Sequence, residues 1–164
     1  MSVETVPAFE WNDRIISSSA IRQLLVKGDI EAANDALGYP YYIRGKVVKG
    51  HQLGRQIGFP TANIAPNSTD KIIPKKGVYA VKVDIEGRAY GGMLNIGQRP
   101  TVNNGKEVSI EVNIFEFNKD IYNSPISLSF IKYIRKEQKF ASIDVLEQQL
   151  KIDKETVEKV LKKD

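Results

Sequence analysis

Apolar and polar residues alternate through the middle of the chain with a period of two. In VSIEVNIFEF, Val108, Ile110, Val112 and Ile114 share one face, and Ser109, Glu111 and Asn113 share the other. Phe115 and Phe117 would extend that second face with apolar mass. ISLSFIKYI, beginning at Ile126, alternates in the same way, and YYIRGKVVK, beginning at Tyr41, is rich in β-formers. GVYAVKVDIEGRAYGGMLNIG reads as two strands joined by a tight turn at Glu86-Gly87. Short strands punctuated by Gly and Pro predict a mainly β fold, either an antiparallel barrel or a sandwich.

Both ends of the chain switch to helical spacing. Ser17 to Ser19 offer an N-cap for a helix with Ile21, Leu24 and Leu25 on one side, and Gly28 stops it. Asp29 can cap a second helix carrying Ile30, Ala33 and Leu37, with Gly38 as its C-terminal signal. This hairpin, residues 1–40, is too small to fold alone. It is either an adornment of the β domain that starts at residue 41 or the tail of something that came before. At the other end, Ser142 caps a predicted helix with Ile143, Leu146 and Leu150. Asp153 is expected to cap a further one with Val157, Val160 and Leu161.

Composition narrows the chemistry. The chain has 164 residues, 41% hydrophobic and 27% charged, an ordinary balance for a domain with its own core. With no cysteine, disulfides and thiolate metal sites are excluded. His51 is the single histidine, so a site needing two is excluded as well. No apolar run approaches the ~20 residues that span a bilayer. MSVETVPAFEW lacks the basic and apolar regions of a signal peptide, so a cytoplasmic protein without membrane partners is expected. The net charge of +4 suits a phosphate-bearing ligand, but no basic run is long enough to signal a nucleic-acid tail.

One stretch concentrates unusual residues. In GRQIGFPTAN, with Gly50 just upstream, Gly54 and Gly58 permit positive φ and close approach of backbone to a ligand. Backbone N–H groups in such a loop can cradle phosphate oxygens, and Arg55 could add charge. Turns between strands would use the same glycines. Pro60 fixes its own φ and holds Phe59 extended. In an extended segment Thr61 and Asn63 point to the same side. Their neutral oxygens suit Mg²⁺ whose charge is balanced by substrate phosphates. An Asn–Thr turn bonding its own backbone is the plainer alternative.

These motifs together resemble the riboflavin kinase family. GRQIGFPTAN is similar to its signature loop, NIGQRPT at 95–101 to its second loop, and SIEVNIFEF at 109–117 to the strand bearing its catalytic glutamate. IYNSPISLSFIKYIRKEQKF at 121–140 is similar to its closing strand and the start of its flavin-side helix. The resemblance runs from about Tyr41 to the end. It implies a six-stranded antiparallel Greek-key barrel with N-terminal linker helices and C-terminal helices. ISSSAIRQLLVKGDIEAANDALGYPY further resembles the junction of bacterial enzymes that join an FMN adenylyltransferase domain to a kinase domain. Residues 1–40 would then be the residual tail of that covalent partner. Adenylyl transfer is not expected here, because its HxGH motif needs two histidines.

The implied reaction moves the γ-phosphate of MgATP to the 5′-hydroxyl of riboflavin, giving FMN and ADP. By resemblance, Glu111 is the general base and Thr61 and Asn63 hold Mg²⁺. Gly50, Gly54, Arg55, Gly58, Pro60 and Tyr122 accompany them around ATP. Arg135 and Phe140 fall near the flavin, with Asn95, Arg99 and Thr101 on a mobile flap beside it. His51 receives no role. The chain departs from the family at Asn113, where a histidine is usual; asparagine keeps a hydrogen bond but cannot become cationic. Two other readings remain. One is a flavin-binding domain inactive without its partner domain. The other is a basic barrel that binds single-stranded nucleic acid on exposed aromatics such as Tyr41, Tyr42, Tyr79, Tyr90 and Tyr133.

Overall fold

The computed structural model describes residues 10–11, 14–50 and 53–164. His51 lies outside them. A short ribbon of β1 (Glu10–Trp11) and β2 (Arg14–Ile15) precedes the helical hairpin α1 (Ser18–Lys27) and α2 (Ile30–Leu37). Both helices begin and end as their sequence predicts. Ser17 and Asp29 accept hydrogen bonds from the backbone N–H groups of Ala20 and Ala32. Gly28 and Gly38 close the helices in the left-handed conformation, at φ 83° and 78°. The hairpin is not loosely appended. Leu25, Ile30 and Ala33 are buried in the same core as the strands, and the Asn34 side chain bonds the Phe130 carbonyl at 2.8 Å.

Six strands close a barrel: β3 (Tyr42–Val48), β4 (Ala62–Pro66), β5 (Gly77–Ile85), β6 (Arg88–Pro100), β7 (Lys106–Ile114) and β8 (Pro125–Arg135). All neighbours are antiparallel, in the closed order β3-β4-β7-β6-β5-β8, a Greek key. The β5–β6 hairpin turns at Glu86-Gly87 with φ 53° and 77°, the doubly positive geometry that matches strand twist. Alternation decides what fills the barrel. Tyr79, Val81, Leu94, Val112, Leu128 and Phe130 point inward with no exposed surface, so the interior is a packed core. Tyr79 meets Phe130 edge-on at 5.1 Å between ring centres. Tyr41 and Tyr79 are buried in these walls and Tyr42, Tyr90 and Tyr133 are half-buried, which leaves none of the five as an open stacking platform.

Three expectations need correction. The C-terminal segment is one helix, α4 (Ile143–Lys163), with Asp153 in its middle. Asp153 is no cap because its carboxylate is buried against Arg135. The alternation of β7 stops at Ile114: Glu116 turns the chain at φ 52°, and Phe115 leaves the sheet to pack under α4. Val108, on the otherwise buried face, is 45% exposed near the β6–β7 turn end of the strand. A second apolar cluster lies outside the barrel, where Val78, Ala80, Met93 and Ile131 meet Val157 of α4.

Candidate active site on the outer wall of the barrel

The pairing registers bring the polar residues of separate motifs into one row. Asn63 of β4 stands opposite Glu111 of β7, and Glu111 stands opposite Asn95 of β6. The row continues from Asn95 to Val78 of β5 and from Val78 to Arg135 of β8. Residues flanking the row, such as Val112, Leu94 and Tyr79, point into the core, so the row itself faces outward. A carboxylate thus sits between two amides, each one strand away. Arg135 lies three strands from Glu111, roughly 14 Å along the wall at ordinary strand spacing.

The segment before β4 is held in place from both sides. Asn113, 7% exposed, donates from its side-chain amide to the Pro60 carbonyl at 2.7 Å. The β4–β7 ladder begins only at Ala62–Val112, so this bond extends strand pairing past the end of the ladder. Asn113 thereby anchors the Pro60–Asn63 segment. On the opposite side Gly50 lies against the Asn63 side chain, and a Cβ at Gly50 would overlap that amide. Gly54, in the single helical turn α3 (Leu53–Gln56), packs equally close to the Phe59 carbonyl and accepts the Phe59 N–H at 2.8 Å. Gly58 has open space around it and is needed for its φ of 79° instead.

Beside this segment is a cleft of about 280 Å³. Arg55, Pro60 and Thr61 line one side, and Asn118, Asp120 and Tyr122 of the loop leading to β8 line the other. Tyr122 is 41% exposed, and its backbone N–H is fixed by the Asp120 carboxylate at 3.0 Å. Thr61 belongs to the cleft and stands two residues from Asn63, so it links the cleft to the Glu111 row.

Asn95 and Arg99 belong to β6 itself, and only Thr101 falls in the hairpin that follows, where its N–H bonds the Gly105 carbonyl at 2.9 Å. The expected flap is therefore a strand end with a short hairpin. The Arg99 guanidinium reaches back along the wall, and its Nη2 donates to both Asn63 Oδ1 and Glu111 Oε1. Spacing alone could not show this bridge, which depends on the β4–β7–β6 register. Glu137 was also not singled out. Its carboxylate lies over Gly97, between Asn95 and Arg99 on the same face, where a Cβ would overlap it. A carboxylate in the KEQKF segment, beside the Arg135 and Phe140 already singled out, was the only available signal.

Arg135 and Phe140 form a separate group. Arg135 holds Asp153 with Nε at 2.9 and 3.0 Å and Nη2 at 2.6 Å, and its Nη1 donates to the Lys136 carbonyl at 3.0 Å. Gln149 adds a third donor group to Asp153 at 2.9 Å. The guanidinium lies 5.7 Å from the Phe140 ring centre. These contacts fasten α4 to β8.

Among the described residues no group of three or more His, Cys, Asp or Glu could hold a metal. A cation here would take few protein oxygens, from Thr61 and Asn63 beside the Glu111 carboxylate, and most of its shell from phosphate and water. That donor set fits Mg²⁺ carried by a nucleotide, and the absence of a Cβ at Gly50 lets the Asn63 amide occupy this position.

The fold and the wall define a class: a small closed barrel with an oxygen-rich polar row outside a filled core. The riboflavin kinase family model matches residues 37–161, and the chain belongs to that family. Two curated bacterial relatives are bifunctional riboflavin kinase/FMN adenylyltransferases. The one from Bacillus subtilis is 47% identical over 87% of this chain and 46% of its own length. The one from Haemophilus influenzae is 44% identical over 94% of this chain and 49% of its own. The chain thus spans about half the length of the curated relatives it matches. A crystal structure of riboflavin kinase from Trypanosoma brucei superposes with TM-score 0.52 at 27% identity, covering 76% of this chain and 81% of that one. A Streptococcus pneumoniae structure described as a macrolide-efflux protein superposes with TM-score 0.87 at 40% identity, covering 93% of this chain and 50% of that one.

Proposed function

We infer that this chain transfers the γ-phosphate of MgATP to the 5′-hydroxyl of riboflavin, giving FMN and ADP. The observation that carries the reading is the row Asn63–Glu111–Asn95 next to the cleft lined by Arg55, Thr61 and Tyr122. The cleft takes the nucleotide. Thr61 and Asn63 hold the Mg²⁺, which when bound neutralises charge on the transferring phosphoryl group. Gly50, Gly54 and Gly58 let the backbone of the 50–60 loop approach the phosphates. Glu111 takes the proton of the attacking hydroxyl. A carboxylate is ionised near neutrality and can accept it. Asn95 and the Thr101 hairpin lie where the flavin would cover the row. Arg135 and Phe140 close the flavin side together with α4.

Most of the catalysis in such a site is positioning, because phosphoryl transfer needs little covalent help from the protein. The N-terminal segment, residues 1–40, is read as the junction to an FMN adenylyltransferase domain in a longer chain. The efflux description of the S. pneumoniae structure is not carried over, because this barrel is filled with side chains and offers no passage. Among the described residues, no helix is long and apolar enough to cross a membrane.

Two substitutions test the reading. Glu111→Gln should lower kcat by at least ~100-fold while riboflavin affinity changes little, the pattern for a group needed mainly in the transition state. Thr61→Ala should raise KM for MgATP and leave riboflavin binding intact. Wild-type turnover in Glu111→Gln would remove the base from the mechanism.

A further inference from the structure

We propose that Arg99 is an exchangeable counter-ion of the catalytic row, so that its guanidinium and a divalent cation compete for the same oxygens. This rests on the reading of Asn63 as a metal ligand and Glu111 as its neighbouring carboxylate. A single nitrogen of Arg99 touches Asn63 Oδ1 and Glu111 Oε1 at once. The first is one of the two oxygens read as metal ligands, and the second is the carboxylate beside it. A guanidinium and a hard cation seek the same negative oxygens, and both cannot occupy one position.

The contact is built to be exchanged. Both side chains are 29% exposed, and Arg99 uses one nitrogen where its fork could use two. Another arginine of the outer wall shows the contrast. Arg135 grips Asp153 through two nitrogens, and that carboxylate is only 2% exposed. Arg99 also has a second place to go. Its partner across the β6–β7 ladder is Glu107, an exposed residue on the same face. Displaced from Glu111, the guanidinium keeps a carboxylate within reach and stays beside the phosphates. The Glu137 carboxylate, which lies over Gly97 between Asn95 and Arg99, is a further acidic group on that face.

The consequence is a linkage: each cation bound must displace one arginine contact, and removing the arginine removes that cost. A half-exposed ion pair is worth little, so the effect is an affinity change of about two- to fivefold. The measurement is a Mn²⁺ titration followed by electron paramagnetic resonance, with and without ADP, on the full chain. Arg99→Gln is expected to bind Mn²⁺ about two- to fivefold tighter than wild type. Arg99→Lys, which keeps a charge on a shorter reach, should fall between them. Lys106→Gln removes a nearby charge that touches neither oxygen and should match wild type. Unchanged or weaker binding in Arg99→Gln, with wild type binding Mn²⁺–ADP, would overturn the exchange while leaving the metal reading standing. An equal gain in Lys106→Gln would also overturn it, because it would show bulk charge at work. Failure of wild type to bind Mn²⁺ even with ADP would overturn the metal reading and the exchange with it.

Discussion

Asp153 is the buried charge on which the attachment of α4 depends, and its removal has a calculable cost. Asp153→Ala deletes the acceptor of three Arg135 contacts between 2.6 and 3.0 Å and of the Gln149 amide. Arg135, with 18% of its side chain exposed, would keep only the Lys136 carbonyl. Breaking a buried pair from one side costs about 3–5 kcal/mol, chiefly because a charge is left without its partner. The partial exposure of Arg135 lets it relax toward water, which places the expected loss near the lower end, about 3 kcal/mol. The double variant Arg135→Met/Asp153→Leu removes both charges and keeps apolar bulk under α4. It should be within roughly 1–2 kcal/mol of wild type, well short of the sum of the single losses. Urea unfolding followed by circular dichroism is measured for wild type, Asp153→Ala, the double variant and its two single components, Arg135→Met and Asp153→Leu. A loss below about 1 kcal/mol in Asp153→Ala, or a double variant as unstable as the sum, would refute the reasoning. The same double variant tests the flavin role of Arg135. Riboflavin affinity lost from a stable double variant would assign the guanidinium to the flavin, and retained affinity would assign it to holding α4.

Two further outcomes follow from contacts in the wall and the core. Asn113→Ala should raise KM for MgATP more than it lowers kcat and should cost about 1–2 kcal/mol in urea unfolding, since the Pro60 carbonyl loses its buried donor. Asn113→His can still donate an N–H and should restore much of the KM. Burial pushes the Tyr41 hydroxyl, which donates to the Ile72 carbonyl, up from 10.0 to about 12. The unfolded chain therefore ionises first, so this contribution to stability is complete below pH 10 and is lost as pH rises from 10 to about 12. Tyr79 is pushed further in the same direction by burial. Alkaline unfolding of Tyr41→Phe should depend less steeply on pH than that of wild type over this range.

What could be read in advance was whatever depends on neighbours in sequence. Ser17, Asp29, Gly28 and Gly38 act within one helical turn, so their caps were visible as residue types at fixed offsets. The Glu86-Gly87 turn and the alternation of β7 up to Ile114 are equally local. The errors arose where a distant partner decides. Asp153 has the residue type of a cap, yet Arg135, 18 positions earlier, draws its carboxylate into the interior and the helix runs through. Phe115 fits the alternating pattern, but the cluster beneath α4 removes it from the strand. The family pattern supplied Thr61, Asn63 and Glu111 as single positions. The meeting of Asn63 and Glu111 in one row, with Thr61 in the cleft beside it, follows from registers that only the closed barrel sets, and the Arg99 bridge and Glu137 over Gly97 became visible with it.

The most direct test is to incubate the protein with riboflavin, ATP and MgCl₂, run a parallel sample with reduced riboflavin, and separate the flavins by chromatography. The account predicts FMN, formed in step with ADP, and its loss in Glu111→Gln. No FMN in either sample, from protein that is folded and binds riboflavin, would contradict the claim that this row of residues transfers phosphate.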